Sequence, residues 1–362
     1  MIIQSISCKN FRNYETLQID FDAETNILYG DNAQGKTNIL ESSYVSATTR
    51  SHKGSRDREM IRFGEDEAHI RTLVNKRDQI YQIDLHLKKN RTKGIAVNQV
   101  PIKKASDLFG ILNIILFSPE DLNIIKDGPA QRRKFLDQEL CQLDKIYLSD
   151  LTAYNQALKQ RNILLRDMVY RPDLKDTLPI WDEQLVDYGR RIIKRRQAFI
   201  EDLHEIVQNI HLELSGHREY LTLRYEPNVE AMFFQDELFR ALDRDRKQCM
   251  TSVGPHRDDI SFLLGDIDIR RFGSQGQQRT AALSLKLSEI ELVRQMIKDT
   301  PVLLLDDVLS ELDSGRQNYL LNRIHDIQTI ITCTGLDEFV KNNFQIHRIF
   351  RVKDGTVSLL EE

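Results

Sequence analysis

The chain has 362 residues, with 51 Lys and Arg against 55 Asp and Glu, a formal net charge of −4 and 29% charged residues. That length holds either two domains or one large domain with an insertion, and the near-balanced charge neither requires nor excludes nucleic acid. No stretch approaches the roughly 18 apolar residues of a membrane span, no signal peptide is visible in MIIQSISCKNFRNYE, and Cys8, Cys141, Cys249 and Cys333 form no C-x-x-C pair. A cytoplasmic protein with reduced cysteines, no zinc site and no membrane partner is expected.

In chain order, Met1 to Cys8 and Glu15 to Phe21 alternate apolar and polar residues and predict strands, followed by a β-rich apolar segment, Thr25 to Tyr29. Next comes GDNAQGKT: Gly30, Asp31, Asn32, Ala33, Gln34, Gly35, Lys36 and Thr37. This fits G-x-x-x-x-G-K-[ST], the loop that follows a strand, opens a helix and cradles phosphates. Gly30 and Gly35 let backbone N–H groups turn inward, Lys36 reaches the β- and γ-phosphates, and the Thr37 hydroxyl is placed to ligate Mg²⁺. Asn38 to Val45 continues as the helix.

A basic segment, Arg50 to Gly64, reads either as a solvated loop or as a contact to nucleotide or DNA phosphates. Ala68 to Asn75, Gln79 to Leu87 and Gly94 to Val97 predict antiparallel strands, with Lys88, Lys89, Arg91 and Lys93 at a hairpin tip, and Leu112 to Phe117 predicts a buried strand. From Pro129 to about Ile210 helical periodicity takes over, with a break bracketed by Pro172 and Pro179. Two antiparallel helices of about 28 residues each are expected. The second carries Arg190, Arg191, Lys194, Arg195 and Arg196 within seven positions, which also interrupts its apolar stripe. Such crowding needs an offset, from DNA phosphate or from acids such as Asp187, Glu201 or Asp202. Strand pattern returns at Glu219 to Tyr225, a helix is expected over Gln235 to Gln248, and Asp259 to Leu264 with Asp266 to Arg271 predicts a hairpin.

Phe272 to Thr280, FGSQGQQRT, precedes a helix-prone run, so its turn is a second anion site at a helix N-terminus. A second phosphate site is surplus in one subunit but useful if two copies meet head to tail. Pro301 to Asp307, PVLLLDD, is a buried strand ending in two carboxylates. Asp306 suits Mg²⁺, and Asp307 suits either general base or metal support.

GDNAQGKT, SQGQQR and LLLDDVLSELD, in that order, resemble the Walker A, signature and Walker B/D-loop of ABC-type ATPase heads of the SMC and recombination-repair class. More narrowly, Pro119 to Asp137, Gly254 to Asp259 and DDVLSELD resemble the RecF family of bacterial DNA replication and repair proteins. The resemblance implies an α/β fold: an ABC-type ATPase head with a mixed sheet around the P-loop, over 1–118 and 219–362, and a helical second lobe with an antiparallel helix pair, over 119–218. It implies a weak, DNA-stimulated ATPase acting as a switch: ATP with Mg²⁺ drives a homodimer that clamps gapped DNA or a single-strand/double-strand junction, with RecR and RecO as partners in loading recombinase. By motif, Gly30 to Thr37 hold ATP, Ser274, Gly276 and Gln277 form the signature contact in trans, Asp306 serves Mg²⁺, and Asp313 lies in the D-loop.

Four motifs depart from the wider pattern. Gly273 and Gln275 replace the Leu and first Gly of the common signature, Asp307 stands where most heads have Glu, and Ile331 to Gly335 lacks the switch histidine. Phe117 to Glu120 offers no Gln for a Q-loop. These changes fit slow hydrolysis. A short SMC-like chromosome ATPase would need long coiled-coil arms, and an ABC transporter's soluble subunit would lack the Pro119 to Asp137 block.

Overall fold

The computed structural model describes residues 1–104, 107–336 and 345–360. Its strands, in chain order, are β1 (Ile2–Phe11), β2 (Tyr14–Asp20), β3 (Thr25–Tyr29), β4 (Glu67–Lys76), β5 (Gln79–Lys88), β6 (Gly94–Val97), β7 (Val100–Pro101) and β8 (Ile114–Phe117). They continue as β9 (Leu221–Glu226), β10 (Asp259–Leu264), β11 (Ile267–Asp268), β12 (Val302–Asp306), β13 (Thr329–Cys333), β14 (Arg348–Lys353) and β15 (Thr356–Leu359). The chain divides into two compact units, one made of Met1–Asp121 with Glu289–Glu362, the other of Leu122–Ser288.

The first unit contains two sheets. One is antiparallel, ordered β2-β1-β4-β5-β6-β7. In β4 the alternation is clean: Ala68, Ile70, Thr72 and Val74 are buried while Glu67, His69 and Arg71 face solvent, the period of a half-buried strand. The β4–β5 hairpin turns through Arg77 and Asp78, both left-handed at φ 50° and 62°, as a two-residue type I′ turn requires. The other sheet is ordered β15-β14-β3-β13-β12-β8, parallel except for its β15 edge. Its central β12 and β13 are buried at every position, which explains their unbroken apolar character.

The helix Lys36–Thr48 contacts strands of both sheets and buries residues all around its circumference. Its serines make this possible. Ser42 and Ser43 return their hydroxyls to the Ile39 carbonyl at 2.7 and 3.2 Å, and Ser46 bonds the Ser42 carbonyl at 2.9 Å. Small side chains allow close approach, and their polar atoms are satisfied locally.

The second unit holds the helices Pro129–Leu143, Lys145–Asp167 and Leu178–Leu214 with a three-stranded sheet, β11-β10-β9. The expected helix pair is present, but its members have 23 and 37 residues. Asp144 starts the first by accepting from the Ile146 and Tyr147 N–H groups at 2.9 and 3.0 Å. The break bracketed by Pro172 and Pro179 is present, between Asp167 and Leu178, and Pro179 itself occupies the first turn of the longer helix, where its missing N–H is no loss. The gap in that helix's apolar stripe is filled by Arg196 itself, only 2% exposed.

Residues 219–288 join the second unit rather than returning to the first, so the chain crosses back at Glu289 instead of 219, and the lobe contains a sheet as well as helices. The helix expected over Gln235 to Gln248 is two short helices, Phe234–Arg240 and Leu242–Gln248. After Ile267–Asp268 the expected hairpin strand becomes a short helix, Ile269–Phe272.

Candidate functional site

The phosphate-type loop lies between β3 and the helix Lys36–Thr48. Gly35, at φ 114°, is the helix N-cap, with no capping side chain and no acid in the first turn. The first-turn N–H groups and the positive end of the helix dipole are therefore available to an anion. A Cβ at Gly35 would meet Asn13 Nδ2 at 2.6 Å and Tyr14 OH at 2.7 Å, and one at Gly30 would strike the Val352 carbonyl at 2.3 Å. Both glycines are demanded by space. Lys36 is 4% exposed and donates from Nζ to the Gly30 and Asp31 carbonyls at 2.5 and 3.1 Å, closing the loop into a ring.

Strand order brings the acids here. β3 pairs with β13 and β13 with β12, so the end of β12 stands one strand away from the loop. Thr37 Oγ1 donates to Asp306 Oδ1 at 2.9 Å, across 269 positions of sequence. Thr332, on the intervening β13, donates to the same oxygen at 2.8 Å and accepts the Asp307 N–H at 2.9 Å. Sequence reading missed Thr332. Its only signal is the register that sets Thr332 beside Asp306, which needs the sheet order. Asp307 has a left-handed backbone, φ 53°, and burial raises its pKa, with Lys36 opposing and Asp306 adding to the rise. A carboxyl raised in this way is suited to taking a proton.

A second missed group supports the loop from the β1–β2 turn. Asn13 Nδ2 donates to the Gln34 carbonyl at 3.1 Å and Asn13 Oδ1 accepts from Asn38 at 2.8 Å. The Gln34 side chain accepts the Asp354 N–H at 2.6 Å. Arg12, next in the turn, grips Glu41 with two bonds of 2.7 and 2.6 Å. Burial pushes the Glu41 carboxyl up, but the bonds from Arg12 and Ser51 outweigh it and hold the group below the ordinary carboxylate range.

In the second unit, Ser274 precedes the 23-residue helix Gln275–Ile297. Gln277 N–H donates to Ser274 Oγ at 3.2 Å, and Ser274 N–H donates to Gln277 Oε1 at 2.9 Å. This reciprocal pair is a capping box. Ser274, Gln275 and Gly276 are exposed, no acid lies in the first turn, and an added Cβ at Gly276 would meet only Ser274 Oγ, at 3.9 Å. Gln277 Nε2 is anchored on Glu219 at 2.8 Å. Asp313 caps the helix Ser314–Arg323 through the Arg316 N–H, at 3.0 Å, and pairs with the Arg316 guanidinium at 2.8 Å.

Comparison with known proteins agrees with this geometry. A family model described as RecF/RecN/SMC N terminal domain matches residues 2–358. A protein of Agathobacter rectalis named DNA replication and repair protein RecF is 67% identical over 362 residues, covering 100% of both chains. The solved structure of the recombination mediator protein RecF-ATP in the RecFOR pathway is similar with a TM-score of 0.93 at 38% identity, over 99% of this chain and 97% of that one. The Smc head domain of Pyrococcus furiosus shares the fold, with a TM-score of 0.58 at 17% identity over 99% and 95% of the two chains. No helix among the described residues is long and apolar enough to cross a membrane. With an ABC/SMC-type head fold and full-length likeness to RecF, this chain belongs to the RecF family of DNA replication and repair proteins.

Proposed function

We propose that this chain is an ATP-dependent DNA-binding protein of recombinational repair and replication. ATP joins two copies head to tail around gapped DNA or a single-strand/double-strand junction, and slow hydrolysis releases them. The observation that carries the reading is the Thr37–Asp306 contact of 2.9 Å, which unites the phosphate-type loop with the carboxylate at the end of β12. Gly30 to Thr37 hold the triphosphate, with Lys36 exchanging its loop carbonyls for phosphate oxygens. Thr37 and Asp306 fit Mg²⁺, being a hydroxyl and a carboxylate that already converge; the ion would neutralise charge on the β- and γ-phosphate oxygens. Asp307, held by Thr332, takes the proton of the attacking water. As a shorter acid than Glu it stands farther from that water, which favours slow turnover.

Ser274, Gly276 and Gln277 offer the exposed helix end that a second copy's γ-phosphate needs. The loop after the Lys36–Thr48 helix offers the DNA surface: Arg50, Lys53, Arg56 and Arg58 are exposed, and Phe63 is fully so. Cations tracking phosphates beside an aromatic ring suit a junction containing single strand. RecO and RecR are the expected protein partners, supported by the RecFOR description of the solved relative.

Sedimentation of the full chain with Mg²⁺ and ATP tests the reading. The native protein should dimerise, Lys36→Met should neither bind nucleotide nor dimerise, and Ser274→Arg should bind nucleotide yet stay monomeric. Normal dimerisation of Ser274→Arg would refute the head-to-tail arrangement.

A further inference from the structure

The solvent face of the antiparallel sheet carries a cluster that nucleotide chemistry does not use. His69 on β4 is paired directly with His86 on β5, and Glu67 lies two positions along β4 on the same face. The imidazoles stack with centroids 3.9 Å apart and planes inclined by 25°. Glu67 reaches both, with Oε2 at 2.7 Å from His86 Nε2 and Oε1 at 3.9 Å from His69 Nε2. One ligand atom from each of the three side chains lies within 4.8 Å of the other two. The side chains of His69 and His86 are 48% and 30% exposed, so burial does not force them together.

We propose that Glu67, His69 and His86 form a surface site for a divalent first-row ion of borderline softness, Zn²⁺ above all. Two imidazoles and one carboxylate are a donor set such ions favour, and three protein ligands leave a fourth position for water or a further group. Tetrahedral bonds of about 2.0–2.1 Å set the ligand atoms about 3.3 Å apart. Exposed side chains reach that spacing by rotation, without moving backbone. His86 has room to turn, because its partner on β6 is Gly94, where an added Cβ would stand 3.7 Å from the His86 Cβ. A shallow cavity of about 450 Å³, lined in part by both histidines, opens over them.

Neighbouring charges temper the affinity. Lys9 is paired with His69 on β1 and Lys88 with Glu67 on β5, and both repel a cation. Asp84 does not add a ligand, since Arg71 holds it at 2.6 Å. The ion ties β4 to β5, two strands that also contact the Lys36–Thr48 helix. Its binding therefore stabilises the unit that holds the phosphate loop.

Calorimetric titration of the metal-stripped full chain with ZnCl₂, without nucleotide, tests this. One site of about 10 µM affinity would be about nine-tenths filled at about 0.1 mM metal. His69→Asn and His86→Asn should each weaken it at least about tenfold, and the thermal midpoint should rise with Zn²⁺ in the native protein but not in the double variant. Unchanged circular dichroism and metal-free melting would show that the variants fold. Equal displacement by Mg²⁺, an undiminished site in the double variant, or no binding at 0.1 mM Zn²⁺ would each overturn the proposal.

Discussion

Two basic segments of this chain have similar sequence character and opposite fates. Around Arg50 to Arg62, the side chains of Arg50, Lys53, Arg56 and Arg58 are exposed and make no ion pair among the described residues. In Arg190 to Arg196 the four arginines are claimed from within, while Lys194 stays exposed. Arg191 bonds Asp150 and Asp187 at 2.9 and 2.8 Å, Arg195 bonds Asp144 at 2.9 Å, and Arg190 bonds the Ala231 carbonyl at 3.0 Å. Arg196 donates to Asp137, Asp258, Tyr147 and the Pro255 carbonyl at 2.7 to 3.0 Å. Of the acids that sequence offered as partners, Asp187 is used. The others come from outside the helix. A run of cations is an electrostatic field only where the fold leaves it unneutralised; here the denser run is internal structure and the looser one faces outward.

The largest effect that would break this comparison is at Arg196. Asp258 is fully buried, accepts from Tyr225 OH and from the Asn228 N–H, and is raised in pKa by burial, which Arg196 opposes. Arg196→Met strands that carboxylate and should destabilise the protein by about 3–5 kcal/mol, measured by urea unfolding. A variant of native stability with weakened DNA binding would reverse the assignment.

A smaller effect concerns His256, which follows Pro255, whose carbonyl accepts from Arg196. Its Nε2 lies 3.1 Å from the Thr251 carbonyl and its Nδ1 lies 2.7 Å from Tyr154 OH, an arrangement complete for neutral imidazole. Burial, outweighing the bond to the Thr251 carbonyl and helped by repulsion from Arg257 and Arg133, pulls its pKa from 6.5 down to about 4. The unfolded chain thus binds the proton more readily between those values. The histidine's contribution is intact above pH 6.5 and is lost progressively as pH falls toward 4, amounting to about 3 kcal/mol. His256→Gln should flatten the stability profile in that window. An unchanged profile would remove His256 from the acid response.

The smallest expected change sharpens the outward-facing side. Arg56→Ala with Arg58→Ala should leave stability within about 0.5 kcal/mol, while the log–log salt slope of duplex DNA binding falls by about 1.8. A fall of about 0.9 on replacing Arg195 with Ala would erase the difference between the segments.

Local chemistry was legible where a function is carried by consecutive residues. Gly30 to Thr37 could be read because a phosphate loop is one turn of backbone whose two glycines and Lys-Thr pair sit at fixed spacing. The capped turn at Ser274 and Gln277 was legible as a helix start for the same reason, lying in one helical turn. Alternation identified the strands of the antiparallel sheet, since one face is buried and the other wet. The long helix was legible as periodic, and Pro179 marked its start, but its full length was not, since it runs from Leu178 to Leu214, past the apolar stripe that ends at Ile210.

What the sequence determined by itself was therefore the loop, the carboxylate-ended strand, the turn that starts the helix after Ser274, and the family these motifs resemble. Tertiary structure alone decided the rest. Thr332 joins Asp306 because β13 lies between β3 and β12, and sheet order is fixed by packing across hundreds of residues. Arg196 fills a core position because Asp137 and Asp258 arrive from other elements. The return to the first unit comes at Glu289 because residues 219–288 pack with the helices. Each depends on which distant segments meet, and burial rewards such meetings without leaving a local pattern to read.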